Sequence, residues 1–209
     1  MLAETLEERD MLLRELGHRI KNTLSLTSSL LSLAQARVAN EQDAGLFEDS
    51  RARVQAMAVL YDRLLHSPSQ SHIDLGYYLS GLCSSLADAY TGGQGLSLSV
   101  DVNGIETDSR KAVSLGLAVN EAVTNAIKYA GRAGRSPFIR VTGAVQDGGQ
   151  SFSLTVADDG AGLPKGYDWQ HSDGLGFVLI RSLTEQLGGR LRVESSPRGG
   201  TSIHIEGLR

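Results

Sequence analysis

From about residue 6 to residue 38 the chain holds no proline, and Leu13, Leu16, Ile20, Leu24, Thr27, Leu31, Ala34 and Val38 recur at spacings of three and four. That is the period of a bundle or coiled-coil seam, and it predicts one long helix. Leu12, Leu26, Leu30 and Leu33 add apolar surface outside the seam, more than one partner helix covers, so the pattern asks for a bundle. After the break "ANEQDAG", Phe47, Ser50, Val54, Met57, Tyr61 and Leu64 repeat the spacing. Two such helices joined by a short connection become antiparallel neighbours. A lone hairpin seldom buries this much apolar surface. Two hairpins from two chains are therefore expected to form a four-helix bundle, that is, a homodimer.

"HSPSQSH", 66–72, is polar, contains proline and reads as a linker, dividing the chain into a hairpin over 1–68 and a second domain over 69–209. In the second domain "IDLGYYLSGLCSSLADAY" reads as helix and "LSLSVDV" as a half-buried strand. Asp108 is placed to cap a long helix running to about Ala130. "FIRVTGAV" and "SFSLTVAD", joined by "QDGGQ", form one hairpin signal; "GRLRVESS" and "TSIHIEG", joined by "RGG", form another. Between the hairpins lie a glycine-rich stretch, 160–176, and a helix of about 175–187. Helices and antiparallel-type strands in this order predict an α+β sandwich, one sheet covered by helices on one face.

Charge and cysteine usage exclude some classes. With 20 Lys and Arg against 24 Asp and Glu the chain is mildly acidic, and no basic block or aromatic-interleaved basic stripe occurs, which argues against a nucleic-acid partner. The single Cys83 cannot form an internal disulfide, so a reducing compartment, the cytoplasm, is expected. "MLAETLEERD" has no apolar signal core, and no run approaches the roughly 20 apolar residues that span a bilayer. A membrane anchor would have to lie outside this sequence, which is then a fragment or a stand-alone soluble form.

Three elements of the second domain can carry chemistry. In "ADDGAGLP", Asp158 ends a strand and Gly160 and Gly162 follow; glycines let the backbone approach a flat ligand, and a strand-end carboxylate accepts a hydrogen bond from an exocyclic amine such as adenine's. A plain loop has the same composition. "SDGLGF", with Gly174 and Gly176, precedes a helix whose first amides can receive phosphate oxygens, although an ordinary helix start reads alike. In "NEAVTNAIKYA", Glu121, Asn125 and Lys128 fall four and three apart and share a helix face. A carboxylate, an amide oxygen and an ammonium on one stripe suit a Mg²⁺-phosphate wall; a solvated polar stripe is the alternative.

Taken in order, these motifs resemble the nucleotide-binding domain shared by gyrase-type ATPases, Hsp90, histidine kinases and MutL, the Bergerat fold. "NEAVTNAIKY" is similar to its N-box, "DDGAG" to its first glycine box, "GLGF" to its second and "GGTSIHI" to its closing strand, over about 110–205. Each motif alone is weak, and four in order are specific. The resemblance implies ATP and Mg²⁺ as cofactors: Asn125 as the metal ligand, Asp158 on the adenine amine, Lys128 on phosphate and Tyr129 beside base or ribose. It further implies that Gly160, Gly162, Gly174 and Gly176 flank a short lid over the triphosphate and that Thr201 supports Asp158.

The hairpin selects the branch. "ELGHRIKNTLSLTSSLLSLAQAR" resembles the phosphoacceptor helix of the H-R-x-K-N class of sensor histidine kinases, related to the HWE group. Physical placement agrees, because His18 sits two positions from the seam residues Leu16 and Ile20, about 200° around the helix, and points outward. An exposed neutral imidazole is a competent nitrogen nucleophile. Asn22 lies one turn later on the same face, followed by Ser25 and Ser29, leaving room for a partner. Taken alone, His18 would be an incidental surface histidine. His66, His72, His171 and His204 show no ligand spacing for a metal.

The resemblance implies an autokinase that transfers the γ-phosphoryl group of ATP to His18 and then to an aspartate of a response-regulator receiver domain. Arg19 stands where many histidine kinases have an acid, so Glu121 becomes the candidate base. Asn22 is placed to orient a water, which keeps open an alternative: a receiver-binding phosphatase or phosphotransfer module with weak autokinase activity. A serine kinase acting on a sigma-factor regulator uses the same ATP fold and is a third reading. Gly17 and Tyr129 stand where the class often has histidines, no W-x-E element occurs, and a mid-helix glycine costs about 0.5–1 kcal/mol relative to alanine.

Overall fold

The computed structural model describes residues 22–38, 40, 45, 47, 50–51, 54–55, 58, 72–91, 96–130, 138–172, 174–196 and 199–209. The chain divides into two compact units, Met1–Gln70 and Ser71–Arg209.

In the first unit, α1 covers 22–35, and the described residues 45, 47, 50, 51, 54, 55 and 58 are helical and belong to α2. His18, Arg19 and Lys21 lie outside the described residues, as do Leu13, Leu16 and Ile20 of the expected seam. Helix α1 ends on tightened i→i+3 bonds, Arg37 N–H to Ala34 O and Val38 N–H to Gln35 O, 3.0 and 3.1 Å. Arg51 of α2 donates to Ser32 Oγ at 3.4 Å, tying the helices together. Leu24, Leu31, Ala34 and Val38 are half-buried within this unit, whereas Thr27 is exposed. Leu26, Leu30 and Leu33 stand out, exposed at 62%, 57% and 62%, and their spacing puts them on one stripe.

The second unit runs β1 (Ile73–Asp74), α3 (Leu75–Thr91), β2 (Ser97–Val102), β3 (Glu106–Thr107), α4 (Ser109–Ala130), β4 (Phe138–Gln146), β5 (Ser151–Asp158), α5 (Leu175–Gln186), β6 (Arg190–Ser196) and β7 (Gly200–Leu208). Five strands form one sheet in the order β2-β4-β5-β7-β6, and β1 pairs with β3 beside it. Alternation along the strands buries Ile139 and Val141 of β4, Phe152, Leu154 and Val156 of β5, and Ile203 and Ile205 of β7. The opposite face carries Arg140, Thr155, Arg192 and His204, half-buried or exposed. The helices therefore cover one face, as the α+β sandwich requires.

Helix α3 sets Leu75, Leu79, Leu82, Cys83 and Leu86 against the sheet, and burial pushes the Cys83 thiol up to about 12, so it stays protonated. Its N-terminus is capped by Asp74, whose Oδ1 accepts from Tyr77 N–H at 2.9 Å. Helix α4 buries Ala112, Leu115, Ala118, Val119, Ala122, Val123 and Ala126, the 3,4 series of a core-facing stripe. Asp108 caps α4 as its sequence position predicts, accepting from Lys111 N–H at 3.0 Å.

Two features depart from the sequence reading. Strand β2 pairs with β4 in parallel, while every other contact in the sheet is antiparallel. The long crossover through α4 permits this, because parallel neighbours need a connection of a dozen residues or more. Ile73 and Asp74, read as the start of a helix, instead form β1 against Thr107 and Glu106.

Candidate nucleotide site

Two clusters of side chains form where helix ends and strand ends meet. The first lies between α4 and α5. A β-carbon added to Gly176 would meet Asn125 Nδ2 at 3.1 Å, Glu121 Oε2 at 3.4 Å and Asn125 Oδ1 at 3.5 Å. Glycine at 176 is thus what lets the first turn of α5 approach the polar stripe of α4. Glu121 is only 2% exposed, which rules out a solvated stripe. Burying a carboxylate is costly unless it has work or partners, so its place beside an amide and a helix N-terminus marks a built site. Helix α5 starts at Gly174 without a side-chain cap, and its first intrahelical bond is Val178 N–H to Gly174 O at 3.2 Å. The amides of that first turn are the kind that receive phosphate oxygens. Lys128, half-buried, and Tyr129, exposed, sit in the last turn of α4.

The second cluster surrounds Asp158 at the end of β5. Its Oδ1 accepts from Gly160 N–H at 2.8 Å. Burial pushes this carboxyl above its ordinary value, and the neighbouring Asp159 charge adds to the effect, while hydrogen bonds from the Gly160 and Thr201 backbones oppose it. Gly200, at φ +72°, opens β7 directly against Asp158: a β-carbon there would lie 2.0 Å from Asp158 O and 2.6 Å from Oδ1. Asp159 holds the start of β4, accepting from Phe138 N–H at 2.8 Å.

The stretch between the clusters folds over α5. Gly162 and Gly166 take φ of +72° and +80°, a region that favours glycine. Asp168 accepts from Gln170 N–H at 3.0 Å and pairs with His171 Nδ1 at 2.7 Å. The Tyr167 and Trp169 rings lie 6.2 and 6.4 Å from the Phe177 ring, and Arg181 of α5 donates to Gln170 O. These contacts dock the stretch on α5.

The structure thus brings Glu121, Asn125 and Gly176 together, and separately Asp158, Gly160 and Thr201. Asn22 is exposed on α1. Sequence reasoning missed Gly200, although "RGG" before a strand hints at a turn, quoted Phe177 only as the end of the second glycine box, and missed Ser195 and Trp169, which carry no local signal. For the metal, Asn125 Oδ1 is a hard oxygen donor that fits Mg²⁺, which would complete its shell with phosphate and water. Among the described residues no cluster of three His, Cys, Asp or Glu forms an all-protein metal cage.

Fold and site define a nucleotide-binding domain of the histidine kinase-, DNA gyrase B- and HSP90-like ATPase type, whose family model matches residues 110–208. A second family model, described as histidine kinase, matches residues 15–90. The chain belongs to the sensor histidine kinases, in the HWE-related class. It is 30% identical over 205 residues to the blue-light-activated histidine kinase 2 of Erythrobacter litoralis, covering 95% of this chain and 56% of that protein. It is also 30% identical over 196 residues to the sensor histidine kinase PdtaS of Mycolicibacterium smegmatis, covering 93% of this chain and 39% of the relative. The chain therefore spans about half or less of these relatives' lengths. Among solved structures, the histidine kinase domain of a blue-light-activated histidine kinase from Erythrobacter litoralis superposes with a TM-score of 0.65 at 27% identity, covering 87% of this chain and 94% of that one.

Proposed function

We propose that the chain is an ATP-dependent histidine autokinase in which residues 69–209 bind ATP and the hairpin of residues 1–68 carries the phosphoacceptor, His18. The observation that carries this reading is the buried Glu121 carboxylate beside Asn125, against the glycine start of α5. Asp158 accepts the adenine amine, and the first-turn amides of α5 and Lys128 take phosphate oxygens. Asn125 would hold Mg²⁺, whose charge would neutralise the phosphates. The imidazole nitrogen of His18 attacks the γ-phosphorus, an N–P bond forms, the bond to the ADP oxygen breaks, and Glu121 accepts the imidazole proton. Alignment provides most of the acceleration in such a transfer.

The second half-reaction passes the phosphoryl group to the aspartate of a response-regulator receiver domain. Asn22, exposed and four positions after His18 in the sequence, is our candidate to orient a water for the reverse, phosphatase direction. The exposed Leu26, Leu30 and Leu33 stripe supports a homodimer, since a second hairpin would cover it. No described helix is long and apolar enough to cross a membrane. The reaction belongs in the cytoplasm, where ATP is available.

Incubation with γ-labelled ATP is expected to give acid-labile, alkali-stable label that His18→Ala abolishes. Label surviving that substitution would move the reading to a serine kinase. Loss of label from a phosphorylated receiver, dependent on Asn22, would move it to a phosphatase.

A further inference from the structure

Ser195 lies on edge strand β6, opposite Thr201 of β7 in the β-ladder. Its hydroxyl accepts from Leu163 N–H at 2.6 Å and donates to Gly200 O at 3.4 Å. Leu163 follows Gly162 directly and is the first residue of the lid stretch after the glycine turn. Gly200 is the residue whose backbone packs against Asp158. One hydroxyl therefore spans the same two chain segments that hold the Asp158 carboxylate, which takes backbone hydrogen bonds from Gly160 in the first and Thr201 in the second.

The connections close a ring: Asp158 to Gly160, along the turn to Leu163, across Ser195 to Gly200, and through Thr201 back to Asp158. Glycine at 160, 162 and 200 leaves these segments little side-chain packing of their own, and Gly162 and Gly200 sit at positive φ. Their relative position then depends on hydrogen bonds. A carboxylate reads an exocyclic amine only if it is held within a few tenths of an ångström and about 10–20° of the productive geometry.

We propose that Ser195 is a positioning residue for base recognition, clasping the lid hinge to the start of β7 so that Asp158 is preorganised for an adenine amine. The inference rests on the reading of Asp158 as the adenine acceptor. Ser195 itself touches no nucleotide in this assignment. It acts on affinity and on discrimination between adenine and guanine nucleotides, with little effect on the chemical step.

The test uses the full chain and measures ATP and GTP binding, autophosphorylation against ATP concentration, and amide hydrogen exchange at Leu163, for wild type, Ser195→Ala, Ser195→Thr and Asp158→Ala. Losing one neutral hydrogen bond pair is expected to weaken ATP binding about 3- to 10-fold in Ser195→Ala. KM for ATP should rise by the same factor with the maximal rate within about twofold. Leu163 exchange should quicken, and Ser195→Thr, which keeps the hydroxyl, should restore all three. Wild-type ATP affinity in Ser195→Ala alongside a strong loss in Asp158→Ala would overturn the clasp and leave the base assignment intact. Unchanged affinity in Asp158→Ala would overturn both. Equal losses in Ser195→Ala and Ser195→Thr would also overturn the clasp, since they would trace to β6 packing.

Discussion

Gly176 and Asn125 sit so close that a single added methyl group at 176 would lie 3.1 Å from the Asn125 amide nitrogen. The absence of a side chain on α5 is what sets the position of the α4 amide proposed to hold the metal. Gly176→Ala places a better helix former in the first turn of α5, so thermal stability is expected to hold or rise by up to about 1 kcal/mol. Displacement of Asn125 and Glu121 by a few tenths of an ångström should nevertheless cut autophosphorylation by on the order of 10- to 100-fold. Melting curves and initial rates on the same preparation check this, and a variant that loses stability and rate together would contradict it.

Asp158 predicts opposite pH trends for folding and for ligand binding. Burial raises its carboxyl above the unfolded value. A raised acid contributes stability that is fully present below the unfolded pKa and is lost as pH rises through the folded one. With Asp158 as the proposed acceptor of the adenine amine, binding would need the ionised form, so ATP affinity should fall on acidification and begin to fall above the ordinary aspartate range. Asp158→Asn should flatten the stability trend and abolish adenine selectivity; calorimetric titrations across the carboxylate range measure both.

Asp108 behaves in the reverse sense. The hydrogen bond from Lys111 N–H lowers its carboxyl below the ordinary value, with the nearby Lys111 charge adding to it. Its stabilisation is present above the unfolded pKa and is lost as pH falls through the folded value. Asp108→Ala should cost about 1 kcal/mol near neutral pH, as expected for an N-cap, and little once the cap is protonated. Chemical denaturation at two pH values distinguishes these outcomes.

Trp169, the single tryptophan of the chain, reports on the lid through its contact with Phe177. Saturating Mg²⁺-ATP is expected to shift its emission, with Phe177→Ala moving the emission of the ligand-free protein and Trp169→Phe abolishing the signal. An emission spectrum indifferent to nucleotide would mean that the lid keeps its place on α5 when ATP binds.

Much of the site was legible because its parts are local patterns. The stripe of Glu121, Asn125 and Lys128 follows from helical spacing, the cap at Asp108 from its place before an apolar series, and the hairpin β4–β5 from alternation around "QDGG". The parallel pairing of β2 with β4 was not legible, because alternation in "LSLSVDV" and "FIRVTGAV" reports a buried face and says nothing of strand direction. The same holds for the Leu26, Leu30 and Leu33 stripe: sequence marks it as apolar, but only packing shows that α2 leaves it exposed.

By itself the sequence determined the helical hairpin, the order of the helices and of the five strands of the main sheet, and the four motifs that identify the ATP domain, since each depends on residues a few positions apart. The tertiary structure alone decided that Gly176 presses on Asn125, that Gly200 lies on Asp158, and that Ser195 joins Leu163 to Gly200. Those partners are brought together by sheet register and helix packing. Contacts of that range follow from how the whole core closes, so no local spacing encodes them.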